Sequence, residues 1–90
     1  MSITLTIEQR QLARHALGLP NERRRSYRNH YVVDAGADHA EWIAMVEAGA
    51  ARRWKGNALT GDMDLFRLTR AGAAAALELG ETLHPEDFPA

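Results

Sequence analysis

Met45-Val46-Glu47-Ala48-Gly49-Ala50-Ala51-Arg52-Arg53-Trp54 opens a segment that closes on Phe66-Arg67-Leu68-Thr69-Arg70-Ala71-Gly72. Gly49 is the helix stop at its start, because glycine alone enters the left-handed region without a Cβ penalty. Thr69 is the helix start at its end, because a threonine hydroxyl satisfies an orphan N–H of the first turn. Between them Ala50 to Trp54 reads as a strand. Lys55-Gly56-Asn57-Ala58-Leu59-Thr60-Gly61-Asp62 has two glycines with Asn and Asp, the chemistry of a hairpin tip. Met63, Leu65, Phe66 and Leu68 form a return strand with imperfect alternation. The alanine-rich helix after Thr69 is expected over Arg70 to Leu79, with Gly80 as its stop.

Working outward, the helix before Gly49 is predicted to start at Asp38, an N-cap with Glu41 three residues on. Trp42, Ile43 and Val46 share its apolar face, with Met45 at the edge. A first helix is predicted from Thr6, whose capping box closes with Gln9, and Leu12, Ala13, Ala16 and Leu17 fall on one arc. Gly18 and Pro20 end it. A weak extended segment, Ile3, Leu5 and Ile7, precedes it. Residues 20–37 admit one or two helical turns, an extended piece, or both in sequence, ending in the loop Asp34-Ala35-Gly36-Ala37. The expected core is Leu12, Leu17, Trp42, Ile43, Val46, Phe66 and Leu68. One domain is expected over residues 1–80, followed by an acidic, partly irregular tail over 81–90 that Leu83 and Phe88 could strap to the body.

Composition narrows the function. The 90 residues hold no cysteine, which removes disulfides, thiolate zinc sites and cysteine nucleophiles together. No apolar run approaches the roughly 20 residues of a membrane span, and Met1-Ser2-Ile3-Thr4 has no basic region of a signal peptide. Cytoplasmic localisation is the expectation. Net charge is −1, yet it is unevenly spread: six arginines against Glu22 alone lie between Arg10 and Arg28, whereas no Lys or Arg follows Arg70. Ser2 and Ser26 have no nucleophile context. His15, His30, His39 and His84 are scattered. Asp62 and Asp64, beside the tip, are expected to be held by solvent. No enzyme, cofactor or metal is expected.

The segment from Met45 to Arg53, the Gly/Asn tip and Phe66-Arg67-Leu68-Thr69-Arg70-Ala71-Gly72 resemble the second half of winged-helix proteins. In that family a helix stops at glycine, a β-wing follows, and the returning strand runs into threonine–x–x–glycine at the last helix; Gly49, Thr69 and Gly72 match. The chain also looks like a group of short phage and prophage proteins, through Leu12-Ala13-Arg14-His15-Ala16-Leu17-Gly18-Leu19, Tyr27-Arg28-Asn29-His30-Tyr31 and Val46-Glu47-Ala48-Gly49. The resemblance implies an α+β winged-helix-like domain, helices plus a two-stranded β-wing, in the cytoplasm of a bacterial host. It says little of function, because sites are grafted on folds.

Two partner classes remain open. Arg23, Arg24 and Arg25 with Tyr27, Arg28 and Tyr31 have the basic and aromatic character of a nucleic-acid contact, and Arg52, Arg53, Trp54 and Lys55 at the wing base could add phosphate contacts. Against base reading, the helix before the wing begins Asp38-His39-Ala40-Glu41, with two carboxylates and no Arg, Lys, Asn or Gln to meet a base edge. A phage-type binding module recognising a host or phage protein is therefore slightly favoured. The alternative is a small, weakly sequence-specific DNA-binding regulator that uses the arginine loop and the wing.

Overall fold

Thr6 starts the first helix as its side chain requires. Its hydroxyl accepts from the backbone N–H of Gln9, and the Gln9 amide oxygen accepts from the N–H of Thr6, each at 3.1 Å. Helix α1 spans Ile7–Leu17 and ends at Gly18, whose φ is +81°. The computed structural model describes residues 3–88; Met1, Ser2, Pro89 and Ala90 lie outside them. Ile3 and Leu5 pack half-buried against the core, outside any strand.

After α1 come β1 (Tyr31–Val33), α2 (Ala37–Glu47), β2 (Ala51–Trp54), a single 3₁₀ turn (Ala58–Thr60), β3 (Asp64–Leu68) and α3 (Arg70–Ala76). The least readable segment, 20–37, thus contains a strand. It converts the expected two-stranded wing into a three-stranded antiparallel sheet of order β1-β3-β2. Its pairing with β3 sets Tyr31 opposite Phe66 and Val32 opposite Leu65. The Asn29 side chain continues the ladder, donating to the Leu68 carbonyl and accepting from its N–H.

The sheet has two unlike faces because side chains alternate along a strand. Asp64, Phe66 and Leu68 of β3 point inward and are buried. Phe66 stacks on Trp42 of α2 with ring centroids 5.5 Å apart, and Trp42 meets Tyr31 at 5.3 Å. Helix α1 packs on α3 and α2, and α2 on β2. Among the described residues no helix covers the other face, where Val32, Arg52, Trp54 and Arg67 are exposed and Leu65 is half-buried.

Several expectations need correction. Helix α2 has its N-cap at Gly36, two residues before the expected Asp38, and Gly36 makes no side-chain cap. Asp38 is inside the first turn, where its carboxylate accepts from the Tyr31 hydroxyl at 3.2 Å. That phenol, brought in by β1, competes successfully for the oxygen. Helix α3 stops at Ala76 rather than Leu79, since Leu77 is extended. Arginines take carbonyls at and beyond the helix end: Arg14 Nη1 donates to Ala76 O and Arg24 Nη2 to Leu79 O. Leu17, Trp42, Phe66 and Leu68 are buried as expected, but Leu12, Ile43 and Val46 are only half-buried. Met45 and the small residues Ala13, Ala16, Ala50, Ala73 and Ala76 occupy the centre instead. The elements approach closely, and large side chains do not fit between them.

The two junctions behave as read. Gly49 has φ +81°. Thr69 accepts from the Gly72 N–H and donates its own hydroxyl to Gly49 O, so one side chain ties both ends of the hairpin. The C-terminal segment is bound to the body: Thr82 bridges to Arg25, the His84 N–H donates to Ser26 Oγ, and Phe88 is buried.

Candidate nucleic-acid interface

The hairpin register places Arg52 directly opposite Arg67, and Trp54 directly opposite Leu65. All four lie on the outer face of the sheet with Val32, by the alternation that turns Phe66 and Leu68 inward. They line an open groove of about 920 Å³. One side is formed by Tyr27 to His30, and Leu68 to Arg70 with Glu86, Asp87 and Phe88 also line it.

The two arginines differ in their surroundings. The Arg67 guanidinium lies 5.2 Å from the Trp54 ring centroid, a cation–π contact. Arg52 is exposed. Among the described residues neither has a carboxylate within ion-pairing distance. Trp54 remains 46% exposed and Tyr27 61%. Tyr27 carries Arg28 at 5.3 Å over its ring, and Arg28 also donates through Nε and Nη2 to the His15 carbonyl at the end of α1.

The sequence candidates therefore divide. Tyr27, Arg28 and Arg52 meet in the groove. Arg23 and Arg25 line a neighbouring recess of about 440 Å³ that shares Tyr27 with it. Lys55 is exposed but outside both. Arg24 is occupied by Leu79 O. Arg53 points to the inner face, where it binds Asp64. Trp54, named with the wing base, also lines the groove, and the candidates missed are Arg67 and Arg70. Period-two counting back from Leu68 would have found Arg67 on the solvent face. Arg70 donates to the Phe88 carbonyl.

Asp64 is the second correction at this end of the molecule. It is 7% exposed rather than held by solvent. His39 Nε2 donates to it at 2.7 Å, the Gly56 N–H at 2.8 Å and Arg53 Nη2 at 2.6 Å. These bonds, that from His39 first, hold its carboxyl well below the usual range. The cluster joins α2, β2, the tip and β3, and so fixes the hairpin against the body. On the opposite flank Glu81 is paired with Arg14, whose side chain is itself nearly buried. The hydrogen bond from Arg14, followed by that from the Glu78 N–H, lowers the Glu81 carboxyl from 4.5 to about 2. Arg10 reaches Glu78 at 3.4 Å. Glu78 and Glu81 thus neutralise arginines of α1, and among the described residues Arg52 and Arg67 on the outer face of the sheet keep no carboxylate partner.

Comparison with protein-family models, with curated proteins and with solved structures finds no match to this chain. Its chemistry must be read from its own side chains. Ser26 is buried, its hydroxyl accepting from His84 N–H. Among the described residues no group of three or more His, Asp or Glu could hold a metal ion, and no helix is long and apolar enough to cross a membrane. The groove offers charge, hydrogen-bond donors and aromatic surface.

Proposed function

We propose that this chain is a non-enzymatic binding module that engages nucleic acid through the bare outer face of its sheet. The observation that carries this reading is the Arg52–Arg67 pair. Like charges directly opposite one another in a sheet are destabilising, and no carboxylate among the described residues relieves these two. A phosphate between the guanidiniums removes the repulsion and accepts from both, releasing counterions. Arg28 and Arg70 line the same groove and add positive charge to it, while each also donates to a backbone carbonyl, of His15 and of Phe88. Contacts of this kind carry little sequence information, so binding is weakly specific. Helix α2 stays out of it, because Asp38 and Glu41 face any phosphate with like charge.

The scaffold is winged-helix-like in this reading, with the hairpin sheet rather than the preceding helix as the contact surface. The phage-like resemblance sets the module in the cytoplasm of a bacterial host. A protein partner is the second reading, which the half-exposed Val32 and Trp54 beside Leu65 favour. Fluorescence anisotropy of labelled oligonucleotides at 50 and 200 mM salt separates the two. The expected result is micromolar or tighter binding at low salt that weakens steeply with salt. Arg52→Ala and Arg67→Ala should each flatten the slope of log K against log salt by roughly 0.7–0.9. Absence of binding at low salt overturns this reading in favour of the protein partner.

A further inference from the structure

Resting on the nucleic-acid reading above, we infer that the groove takes a single strand, with one base stacked on Trp54 and its phosphates on Arg52 and Arg67. Of the two tryptophans, Trp42 is fully buried and serves the core, whereas Trp54 is 46% exposed on the open sheet face. Its ring is held by the Arg67 guanidinium, so it is an oriented platform rather than a free side chain. Tyr27 with Arg28 makes a second aromatic–arginine pair in the same groove. Aromatic side chains interleaved with arginines match the alternation of base and phosphate along a strand. In a duplex the bases already stack on one another, and such platforms have nothing to receive.

Shape and charge agree. The interface is a recess, and a duplex is read by elements that project into its grooves. Helix α2 carries Asp38 in its first turn and Glu41 one turn on, with no Arg, Lys, Asn or Gln to read a base edge. Glu86 and Asp87 line the same groove and repel phosphates from their end. The strand backbone therefore follows Arg52 and Arg67, away from the C-terminal segment.

The test uses a labelled 20-nucleotide strand of mixed sequence, alone and annealed to its complement, at low salt. Anisotropy is measured for wild type, Trp54→Ala, Trp54→Phe and Arg52→Ala, with thermal melts to confirm folding. Wild type should bind the single strand at least about tenfold more tightly than the duplex. Trp54→Ala should weaken single-strand binding by roughly ten- to a hundredfold, weaken duplex binding far less, and be largely rescued in Trp54→Phe. Tryptophan emission should be quenched by the single strand in wild type and not in Trp54→Phe, where only buried Trp42 remains. Equal affinity for both forms, or Trp54→Ala without effect on the single strand, overturns the inference. If Arg52→Ala still weakens binding in that case, the broader nucleic-acid reading survives. If neither form binds wild type, both readings fall.

Discussion

Gly72→Ala should destabilise this protein even though alanine is the better helix former. Gly72 is the third residue of α3, and a Cβ built there would lie 1.9 Å from the Ala50 carbonyl oxygen, 2.7 Å from its carbon and 2.8 Å from Ala50 Cα. All three are backbone atoms at the entry to β2, so no rotamer change relieves the clash. Helix and strand must separate by about 1.5 Å to regain ordinary contact. Overpacking of this kind costs about 2–3 kcal/mol. The Ala50 oxygen also accepts the Thr69 N–H at 2.9 Å, and straining that bond costs about 1 kcal/mol. The gain in helix propensity returns about 1 kcal/mol. The net loss is about 2–3 kcal/mol, a sizeable part of the roughly 5–13 kcal/mol that holds a domain of this length. The melting midpoint should fall by roughly 8–24 °C. Gly49→Ala is the control: nothing lies within 4 Å of its Cβ position, and only its φ of +81° opposes the change, at about 1 kcal/mol. Circular dichroism melts of both variants decide the matter. A Gly72→Ala protein that melts at or above wild type, or no lower than Gly49→Ala, refutes the close approach of α3 to Ala50.

Trp42→Ala should cost about 3–5 kcal/mol in urea unfolding. Trp42→Phe should cost far less, because its indole N–H is buried with no hydrogen-bond partner among the described residues and its removal recovers a desolvation penalty; equal losses in the two variants would contradict that. Thr69→Ala should cost about 1–2 kcal/mol by the same assay, since one hydroxyl caps α3 and holds Gly49 O; no change would show the cap to be idle. Acid should weaken the fold through Glu81. Its folded value, near 2, lies below its ordinary 4.5, so its stabilisation is complete above about 4.5 and is lost as pH falls toward 2. In Glu81→Gln the acid limb of a melting-midpoint profile should be shallower and the neutral-pH midpoint lower; a profile parallel to wild type would discount the Arg14–Glu81 pair.

The caps were legible because their partners are local. Thr6 with Gln9, Gly18, Gly49 and Thr69 with Gly72 act within a few residues, and short-range sterics and hydrogen bonding set them. The order of helices and the hairpin followed, and with them the α+β class. The third strand was not legible, since Tyr31 to Val33 becomes a strand only when β3 offers it a ladder. The central core of alanines was equally hidden: periodicity marks which face is apolar, and only the distance between elements says how large its side chains can be. Asp64 interrupted the alternation of β3 because its charge looked destined for water. It is satisfied by His39, 25 residues away, a partner that sequence spacing does not announce. The same holds for the interface. Basic clusters and an aromatic neighbour were visible in the chain, but every arginine in a cluster reads alike. Folding sent Arg24 to a carbonyl and Arg53 to Asp64, and put the acidic tail against α1. Arg52 was left facing Arg67 because pairing across a hairpin is a property of two strands in register, and charge is neutralised by whatever the fold brings within a few ångströms.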